Sequence, residues 1–453
     1  MLTAIAFFVA IAVLIAVHEW GHFAMARNCG VKICHFAVGF GPRIAGWTSP
    51  KSGTTYVLGM LPLGGYVRML DEKDAPVAAS ERSRAFNTQS LRGKAAIVLA
   101  GPMANLMFAV FLYCVVNWIG VEQRQPVLSQ PHHQSILAAS NFLGGERVVR
   151  AGFEHDALED VISFEGFRWW LTKAAIEHRN LQVEFIASEG GRARSTLLML
   201  AEVDARHTDH QLFRKIGVEG PFSQARLGNL MPDGAAVQAG LLTGDLVLRV
   251  DGKGIVDAVH LREVIRSAGH GGNPKEQQWL VERNGERLTL AIVPKLTHEG
   301  GESVGRIGAM VGSPPAVTLI QYGFLSGSGE AIRHVWDASF MTLRVLGQIV
   351  TGNASVQNLS GPITIADYAG KSAAMGFTQF LTFLALMSVS LGVLNLLPLP
   401  VLDGGHLMYY LWEAFSGKPV AQRWTERLQR VGVVILLMTM STALFNDLMR
   451  LLR

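Results

Sequence analysis

The chain has 453 residues, of which 49% are hydrophobic and only 17% are charged, and its mean hydropathy is +0.26. Soluble domains average about 25% charged residues, so this composition excludes a disordered chain and argues against a fully soluble protein. The three cysteines, Cys29, Cys34 and Cys114, cannot cross-link the long remainder, which excludes a disulfide framework. The net charge of +4 is too small for this length to indicate a nucleic-acid partner.

The first predicted element is a transmembrane helix over residues 2–26. Residues 2–17 carry no charge, and an apolar run of about 25 residues is long enough to cross a bilayer. A cleavable signal peptide is the alternative. The run lacks a basic start and a small-residue cleavage site, however, and it leads directly into charged motif residues.

These residues, HEWGH at positions 18–22, form an HExxH motif. On a helix, His18 and His22 lie on one face and can share a metal ion, while Glu19 can reach a water bound to that metal. Ionisable groups are costly inside an apolar span, and a shared metal gives three of them a common purpose. The alternative is a pair of interfacial histidines at a helix end.

Residues 54–69, TTYVLGMLPLGGYVRM, predict a β-hairpin or re-entrant loop around Pro62, Gly64 and Gly65. The edge of such a hairpin could accept an unwound substrate as an added strand, which makes Gly64 and Gly65 candidate substrate-binding residues. An ordinary cytoplasmic hairpin also fits this composition. A second uncharged run, residues 95–121, predicts the second span.

The segment after the second span repeats an order of strand, helix and two strands. The first copy starts at Glu159 and the second at Gly244, and each ends in two strands around a tight turn. The sequence MPDGAAVQAGLLTGD before the second copy resembles the signature of PDZ domains. We therefore expect PDZ-like domains at residues 122–220 and 221–312. Two small β-rich domains of another kind are the alternative.

The C-terminal part begins with a linker, residues 313–371. Within it, residues 329–350 have apolar positions at helical spacing, which predicts an interfacial helix or an ordinary packed amphipathic helix. The uncharged run 372–402 predicts a third span, and residues 428–447 predict a fourth.

The predicted fold is thus a polytopic α-helical membrane protein with four transmembrane helices and a membrane-associated β-hairpin. Two α+β PDZ-like domains are inserted between helices 2 and 3. The two halves of the membrane domain are expected at residues 1–121 and 372–453.

The third run ends in NLLPLPVLDGGH, where two prolines precede an acid. Pro398 and Pro400 remove backbone donors, and broken backbone at membrane depth is tolerated only where it lines a cavity. Catalytic zinc usually has three protein ligands, and Asp403 could enter this cavity as the third. An interfacial acid capping a helix is the alternative for Asp403, and His406 is the rival ligand.

The charge distribution predicts the orientation of the chain. Residues 28–94 hold nine Lys or Arg against four Asp or Glu, and residues 404–430 hold four against two. By the positive-inside rule both segments face the cytoplasm, and both termini and residues 122–371 face the other side. Arg450 and Arg453, near the outer terminus, oppose this assignment.

These motifs together resemble the site-2 protease family of intramembrane zinc metalloproteases, and in particular its bacterial regulator of sigma-E protease group. The resemblance rests on HExxH in the first span and NxxPxPxLDG in the third, with paired PDZ domains between spans two and three. It extends to the motifs Gly39-Phe-Gly-Pro42, Gly101-Pro102 with Asn105, and Asn358-Leu-Ser-Gly361-Pro362.

The resemblance implies a role for individual residues. His18, His22 and Asp403 would be zinc ligands, Glu19 the general base, and Asn395 part of the substrate site. Asn358 and Asn105 are carried over as well, although an asparagine in a helix can instead bond a neighbouring helix. The broken segment adds Pro398 and Pro400 as further substrate-site candidates.

The resemblance also implies a bacterial inner-membrane protease that cleaves single-pass membrane proteins, such as an anti-sigma factor or a remnant signal peptide. Its PDZ domains would gate access from the periplasm. The alternative is a membrane-tethered PDZ scaffold with a structural or vestigial metal site. A metal transporter is disfavoured, because the second and third spans show no path of acids or histidines.

Overall fold

A computed structural model describes residues 1–73, 76–132, 134–140, 142–187, 190–203, 210–269, 274–299, 302–351 and 361–451. Contacts divide the chain into two compact units. The first, the membrane unit, contains Met1–Val121 and Gln321–Arg453. The second, the inserted unit, contains Glu122–Ile320. The membrane unit is therefore interrupted in sequence by a separate unit.

The membrane unit begins with two long helices that flank a pair of strands. In chain order these are α1 (Leu2–Asn28), β1 (Ile33–Thr48), β2 (Thr55–Met69), a 3₁₀ turn (Arg82–Arg84) and α2 (Leu91–Ile119). Ser90 caps α2, because its hydroxyl accepts a hydrogen bond from the Gly93 N–H at 3.2 Å. Gly120, at φ +89°, ends this helix in a backbone conformation that favours glycine.

The strands β1 and β2 form more than a simple hairpin. Residues 33–40 pair with two parts of β2, residues 55–59 on one side and 61–69 on the other, while residues 43–48 pair with the first part. The four segments thus make one small sheet, in which 43–48 and 61–69 are the edges. The predicted β-structure after the first span is present, but residues 54–69 do not form a hairpin by themselves, because segment 33–40 lies between their two halves. The final segment, 61–69, pairs on one side only within this sheet.

The inserted unit consists of short elements. They are β3 (Val121–Arg124), α3 (Ile136–Ala139), β4 (Arg147–Phe153), β5 (Glu159–Asp160), α4 (Phe164–Glu177), β6 (Leu181–Ile186), β7 (Arg194–Leu198), α5 (His210–Ile216), β8 (Leu227–Leu230), α6 (Ala235–Gln238), β9 (Leu246–Val250), β10 (Lys253–Gly254), α7 (Ala258–Ser267), β11 (Gln277–Arg283), β12 (Glu286–Ile292), β13 (Lys295–Glu299), β14 (Glu302–Arg306), β15 (Ala309–Val311) and β16 (Val317–Ile320).

The inserted unit repeats one arrangement of elements. Its two four-stranded sheets have the orders β5-β4-β6-β7 and β10-β9-β11-β12, with α4 and α7 at corresponding places between the strands. This agrees with the internal repeat read from the sequence. Because β3 pairs with β16, the chain enters and leaves the inserted unit side by side.

The C-terminal part of the membrane unit is helical. It contains α8 (Phe324–Val350), α9 (Pro362–Met375), α10 (Phe377–Asn395), α11 (Asp403–Ser416) and α12 (Gln422–Leu451). Among the described residues, α1, α2, α10 and the Gln422–Met449 part of α12 are long and apolar enough to span a membrane. The prediction of a polytopic α-helical membrane protein with four spans is confirmed.

The third span differs from its predicted bounds. The uncharged run 372–402 is not one helix, because Gly376, at φ +122°, separates α9 from α10, and α10 ends at Asn395 ahead of the two prolines. The span itself has 19 residues. Lack of charge shows which residues tolerate lipid, whereas glycine and proline determine where the helix ends.

The helices of the membrane unit pack closely around one apolar cluster. Side chains of α1, α2, α8 and α10 share it, including Ala10, Leu14, Ala109, Leu112, Ala331, Ala385 and Val389. Small residues allow close approach: a Cβ on Gly21 would lie 2.3 Å from the Ala100 carbonyl oxygen. Asp447 on α12 accepts hydrogen bonds from the Gly361 and Ile363 N–H groups and caps α9. These contacts fix the helices that carry the candidate site.

Candidate active site

The two histidines of the HExxH motif lie one turn apart on α1. Their Nε2 atoms are 3.2 Å apart, and the rings meet edge to face with centroids 4.8 Å apart. His22 is buried, while His18 and Glu19 are half-buried. The four-residue spacing on an unbroken helix therefore directs both imidazoles to one point, as the sequence predicts.

Asp403 reaches this point from a distant part of the chain. It is the first residue of α11 and follows the non-helical segment 396–402. That segment folds tightly onto the start of α11, since a Cβ on Gly404 or Gly405 would lie 2.2 Å from a carbonyl oxygen of Leu397 or Leu399. The glycines after Asp403 thus permit the bend that places its carboxylate beside the histidines.

The three side chains fit a zinc ion. With zinc–ligand bonds of about 2.0–2.1 Å, neighbouring ligand atoms in a tetrahedral site lie about 3.3 Å apart. Asp403 Oδ2 is 3.2 Å from His18 Nε2 and 3.4 Å from His22 Nε2, close to that separation. This oxygen is buried and has no hydrogen-bond partner among the described residues, as expected of an atom reserved for a cation. Three ligands would leave one position for water or substrate.

His406 is not part of this cluster. Within the described chain, the grouping of potential ligand atoms that lie within 4.8 Å of one another contains His18, His22 and Asp403. The His406 ring, on α11, instead packs against Tyr409 with centroids 6.0 Å apart. The geometry therefore favours Asp403 over His406 as the third ligand.

Helix α2 supports the histidines from one side. His22 Nδ1 donates to the Ile97 carbonyl at 2.8 Å, which leaves Nε2 as the nitrogen with a free lone pair. A Cβ on Gly101 would lie 2.3 Å from His22 Nε2, so only glycine fits there. Gly101 belongs to a sequence motif, but its role does not follow from the sequence, and the role of Ile97 could not be predicted because a backbone acceptor leaves no mark in residue type.

The small sheet of β1 and β2 lies against Glu19. A Cβ on Gly65 would be 2.8 Å from Glu19 Cγ and 2.8 Å from Ile15 Cγ2, and one on Gly64 would overlap the Phe40 ring. Gly64 and Gly65 belong to the edge segment 61–69. The structure therefore brings one predicted substrate-binding residue, Gly65, directly beside the predicted base.

The remaining predicted residues surround the broken segment after α10. Asn395 is the last residue of α10 and is half-buried, and Pro398 is exposed in the non-helical segment. Pro400 faces α12, where a Cβ on Gly432 would lie 3.3 Å from its Cδ. Asn358 lies outside the described residues. The structure thus places three of these four residues near the segment that carries Asp403.

Comparisons with known proteins agree with this site. Residues 6–439 match the profile of peptidase family M50. A protein of Ralstonia nicotianae that is named as a zinc metalloprotease is 38% identical over 100% of this chain and 99% of its own. The regulator of sigma-E protease of Escherichia coli K12 is 37% identical, and that of Haemophilus influenzae is 34% identical, each over 98% of both chains. The chain belongs to peptidase family M50 and is a zinc metalloprotease.

Proposed function

We propose that this protease cleaves peptide bonds within the transmembrane segments of single-pass membrane proteins. His18, His22 and Asp403 hold the zinc ion, and Glu19 acts as the general base. The observation that carries the proposal is the convergence of two imidazole nitrogens and one buried carboxylate oxygen within 3.4 Å of one another. Two of these side chains belong to a helix apolar enough to span the bilayer.

Each group in the site has a defined task. A zinc ion held there polarises the scissile carbonyl and makes a water molecule more acidic. Glu19 takes a proton from the attacking water and passes it to the departing amine. The Ile97 carbonyl holds the His22 ring in the orientation that directs Nε2 inward. Hydrolysis then needs no covalent intermediate with the protein.

The substrate helix must be unwound locally before this chemistry can occur, because its carbonyls are engaged in hydrogen bonds along the helix. The edge segment 61–69 offers replacement bonds to an extended chain. Gly65 lies against Glu19, so a strand added at this edge would run close to the base. We assign Gly64 and Gly65 to substrate binding on this basis.

Asn395, Pro398 and Pro400 form the second part of the proposed substrate site. The segment after Asn395 is not helical, although the N–H groups of Leu396, Leu397, Leu399 and Leu402 donate to carbonyls nearby in the chain. Its place directly before Asp403 supports its assignment to the substrate site. Asn358 is included on the strength of its motif alone.

The inserted unit is proposed to consist of two PDZ-like domains, at residues 122–220 and 221–312, which control access of substrate. Its paired four-stranded sheets with matching element order support this assignment. The relatives named regulators of sigma-E protease suggest an anti-sigma factor and remnant signal peptides as substrates. The charge pattern supports a bacterial inner-membrane protein with the inserted unit and both termini in the periplasm and the site near the cytoplasmic face.

The test of the proposed function is Glu19→Gln in the full-length protein. The variant should keep about one zinc per chain and lose cleavage of a transmembrane substrate by about 10²- to 10⁴-fold, because the base is removed while the ligands remain. Zinc content is measured by atomic absorption and cleavage by gel assay in proteoliposomes. Cleavage close to that of the wild type would reject the mechanism.

A further inference from the structure

The amide of Asn105, on α2, is fully buried and lies against His18. Its Nδ2 atom is 3.2 Å from His18 Nδ1. The Ser388 hydroxyl, on α10, donates to the backbone carbonyl of Asn105 at 2.7 Å, so this contact between helices does not use the amide. The side-chain amide is thus directed at a candidate zinc ligand on α1 rather than at α10.

The surroundings of His22 show what a ligand histidine requires here. The Ile97 carbonyl can only accept a hydrogen bond, so His22 Nδ1 must carry the proton. Ile97, Gly101 and Asn105 follow one another at four-residue spacing and share one face of α2. This face therefore meets both histidines, His22 through Ile97 and His18 through Asn105.

His18 needs the same tautomer as His22 if its Nε2 is to bind a metal. A protonated Nδ1 needs an acceptor, and a 180° rotation of the Asn105 amide presents its oxygen in place of its nitrogen. With the nitrogen facing His18, Asn105 Oδ1 is buried and has no hydrogen-bond partner in the described part of the chain. The rotation therefore breaks no hydrogen bond at the other end of the amide, and the need of His18 for an acceptor favours it.

We propose that Asn105 is a positioning residue whose side-chain oxygen accepts a hydrogen bond from Nδ1–H of His18. This bond holds the ring so that the unprotonated Nε2 faces Asp403 and the metal. The inference rests on the proposed function, since it assigns a partner to a proposed zinc ligand. Loss of such a partner typically weakens metal binding by about 10- to 100-fold.

The first experiment measures zinc affinity of the full-length protein in detergent by competition with a chromophoric chelator. Asn105→Leu removes the acceptor at similar volume and should weaken binding by about 10- to 100-fold. Asn105→Asp keeps an acceptor and should bind zinc as the wild type does or more tightly. The matched control is Asn117→Leu, also on α2, which loses a structural bond to the Gly327 carbonyl and should leave affinity unchanged.

The second measurement is the ¹⁵N spectrum of histidine-labelled, zinc-loaded protein, with His18 identified by its loss in His18→Gln. Protonated Nδ1 in both His18 and His22 is expected. In Asn105→Leu the Nδ1 resonance of His18 should shift, because its acceptor is lost, while that of His22 should stay in place. Unprotonated Nδ1 in His18, or wild-type affinity in Asn105→Leu, would overturn the proposal. A wild-type protein that binds no zinc would reject the proposed function itself, which is a separate result.

Discussion

The membrane unit and the inserted unit use buried polar groups in different ways. In the membrane unit, His18 and His22 of α1 converge on one point with Asp403, which comes from a distant part of the chain. In the inserted unit, buried acids are bonded within the fold: Asp245 pairs with Arg283 at 2.7 Å, and Asp257 accepts hydrogen bonds from the Gln130 and His260 N–H groups. Polar side chains that meet at one point without satisfying one another's hydrogen bonds indicate a site for a ligand. Buried acids whose oxygens are all bonded within the fold have a structural role.

The two repeats of the inserted unit make the structural role explicit. Glu146 accepts a hydrogen bond from the Leu143 N–H, and Asp245 accepts one from the Leu242 N–H, so both acids close the same turn three residues back. Glu146 pairs with Arg194 at the start of β7, whereas Asp245 pairs with Arg283 at the end of β11. The acid occupies the same position in both repeats, whereas its arginine partner lies on one strand of the hairpin in the first repeat and on the other strand in the second. The shared feature is the hydrogen bond that closes the turn, which indicates that the acid stabilises this turn.

The largest expected effect is the loss of zinc from the membrane unit. His18→Ala, His22→Ala and Asp403→Ala should each reduce zinc from about one per chain to a small fraction, because a two-ligand site holds zinc weakly. Metal analysis of purified protein measures this. His406→Ala is the control and should keep its zinc, and the reverse outcome for Asp403 and His406 would exchange their roles.

The next effect tests whether the inserted unit takes any part in the chemistry. Replacing residues 122–320 by a short Gly-Ser linker should preserve zinc content and cleavage of a substrate already trimmed of its outer domain. The junctions permit this, since β3 and β16 pair. If the unit excludes bulky substrates, the variant should also cleave the untrimmed protein, which the wild type spares.

A paired assay of trimmed and untrimmed substrate in the same membranes gives the answer. Failure on the trimmed substrate, with normal zinc content and folding, would mean that the inserted unit captures chain ends instead.

A smaller effect is expected at the edge segment 61–69. Successive N–H groups of an edge strand point alternately toward the neighbouring strand and away from the sheet. Of the two adjacent variants Tyr66→Pro and Val67→Pro, one therefore removes only a donor that points away from the sheet. That variant should slow cleavage of an intact substrate helix more than cleavage of a helix weakened by Gly or Pro. Initial rates on the two substrates measure the ratio. Equal slowing of cleavage for both substrates would indicate that this sheet is an ordinary cytoplasmic element that does not bind the substrate.

The smallest effect concerns stability of the inserted unit. Burial by itself raises the pKa of Asp245. Hydrogen bonds from Arg283 and the Leu242 N–H lower this pKa by more than burial raises it, so the pKa lies below its usual 3.8. A lowered pKa stabilises the fold above the unfolded value, and this contribution is lost as pH falls through the folded value. Asp245→Asn should therefore cost about 2 kcal/mol at neutral pH and progressively less toward pH 3.

Denaturant unfolding of the full chain, followed by hydrogen exchange at the amides of β11, which carries the fully buried Trp279, measures this difference. Glu184→Gln, which breaks a partly exposed pair with Arg150, is the control and should cost less than about 1 kcal/mol. A difference for Asp245→Asn that does not change with pH would show that charge plays no part in holding the turn.

Much of the architecture follows from local sequence. Runs of uncharged residues identified all four spans, because a helix must bury about 20 apolar residues to cross a bilayer. The strand, helix and hairpin order of the inserted unit follows from hydrophobic periodicity and from turns such as Asn284-Gly285, both at positive φ. The end of the third span was placed too late, since hydropathy does not register the bend after Asn395.

The sequence by itself determined the residue types of the site and the pairing of His18 with His22, because four-residue spacing on a helix is a local property. Only the tertiary structure shows that Asp403, and not His406, lies beside the two histidines, because this depends on how segment 396–402 folds back after α10. It also revealed the Ile97 carbonyl behind His22, Gly65 beside Glu19 and the Asn105 amide behind His18. These contacts join residues far apart in the chain, and their distances depend on how the helices and the small sheet pack.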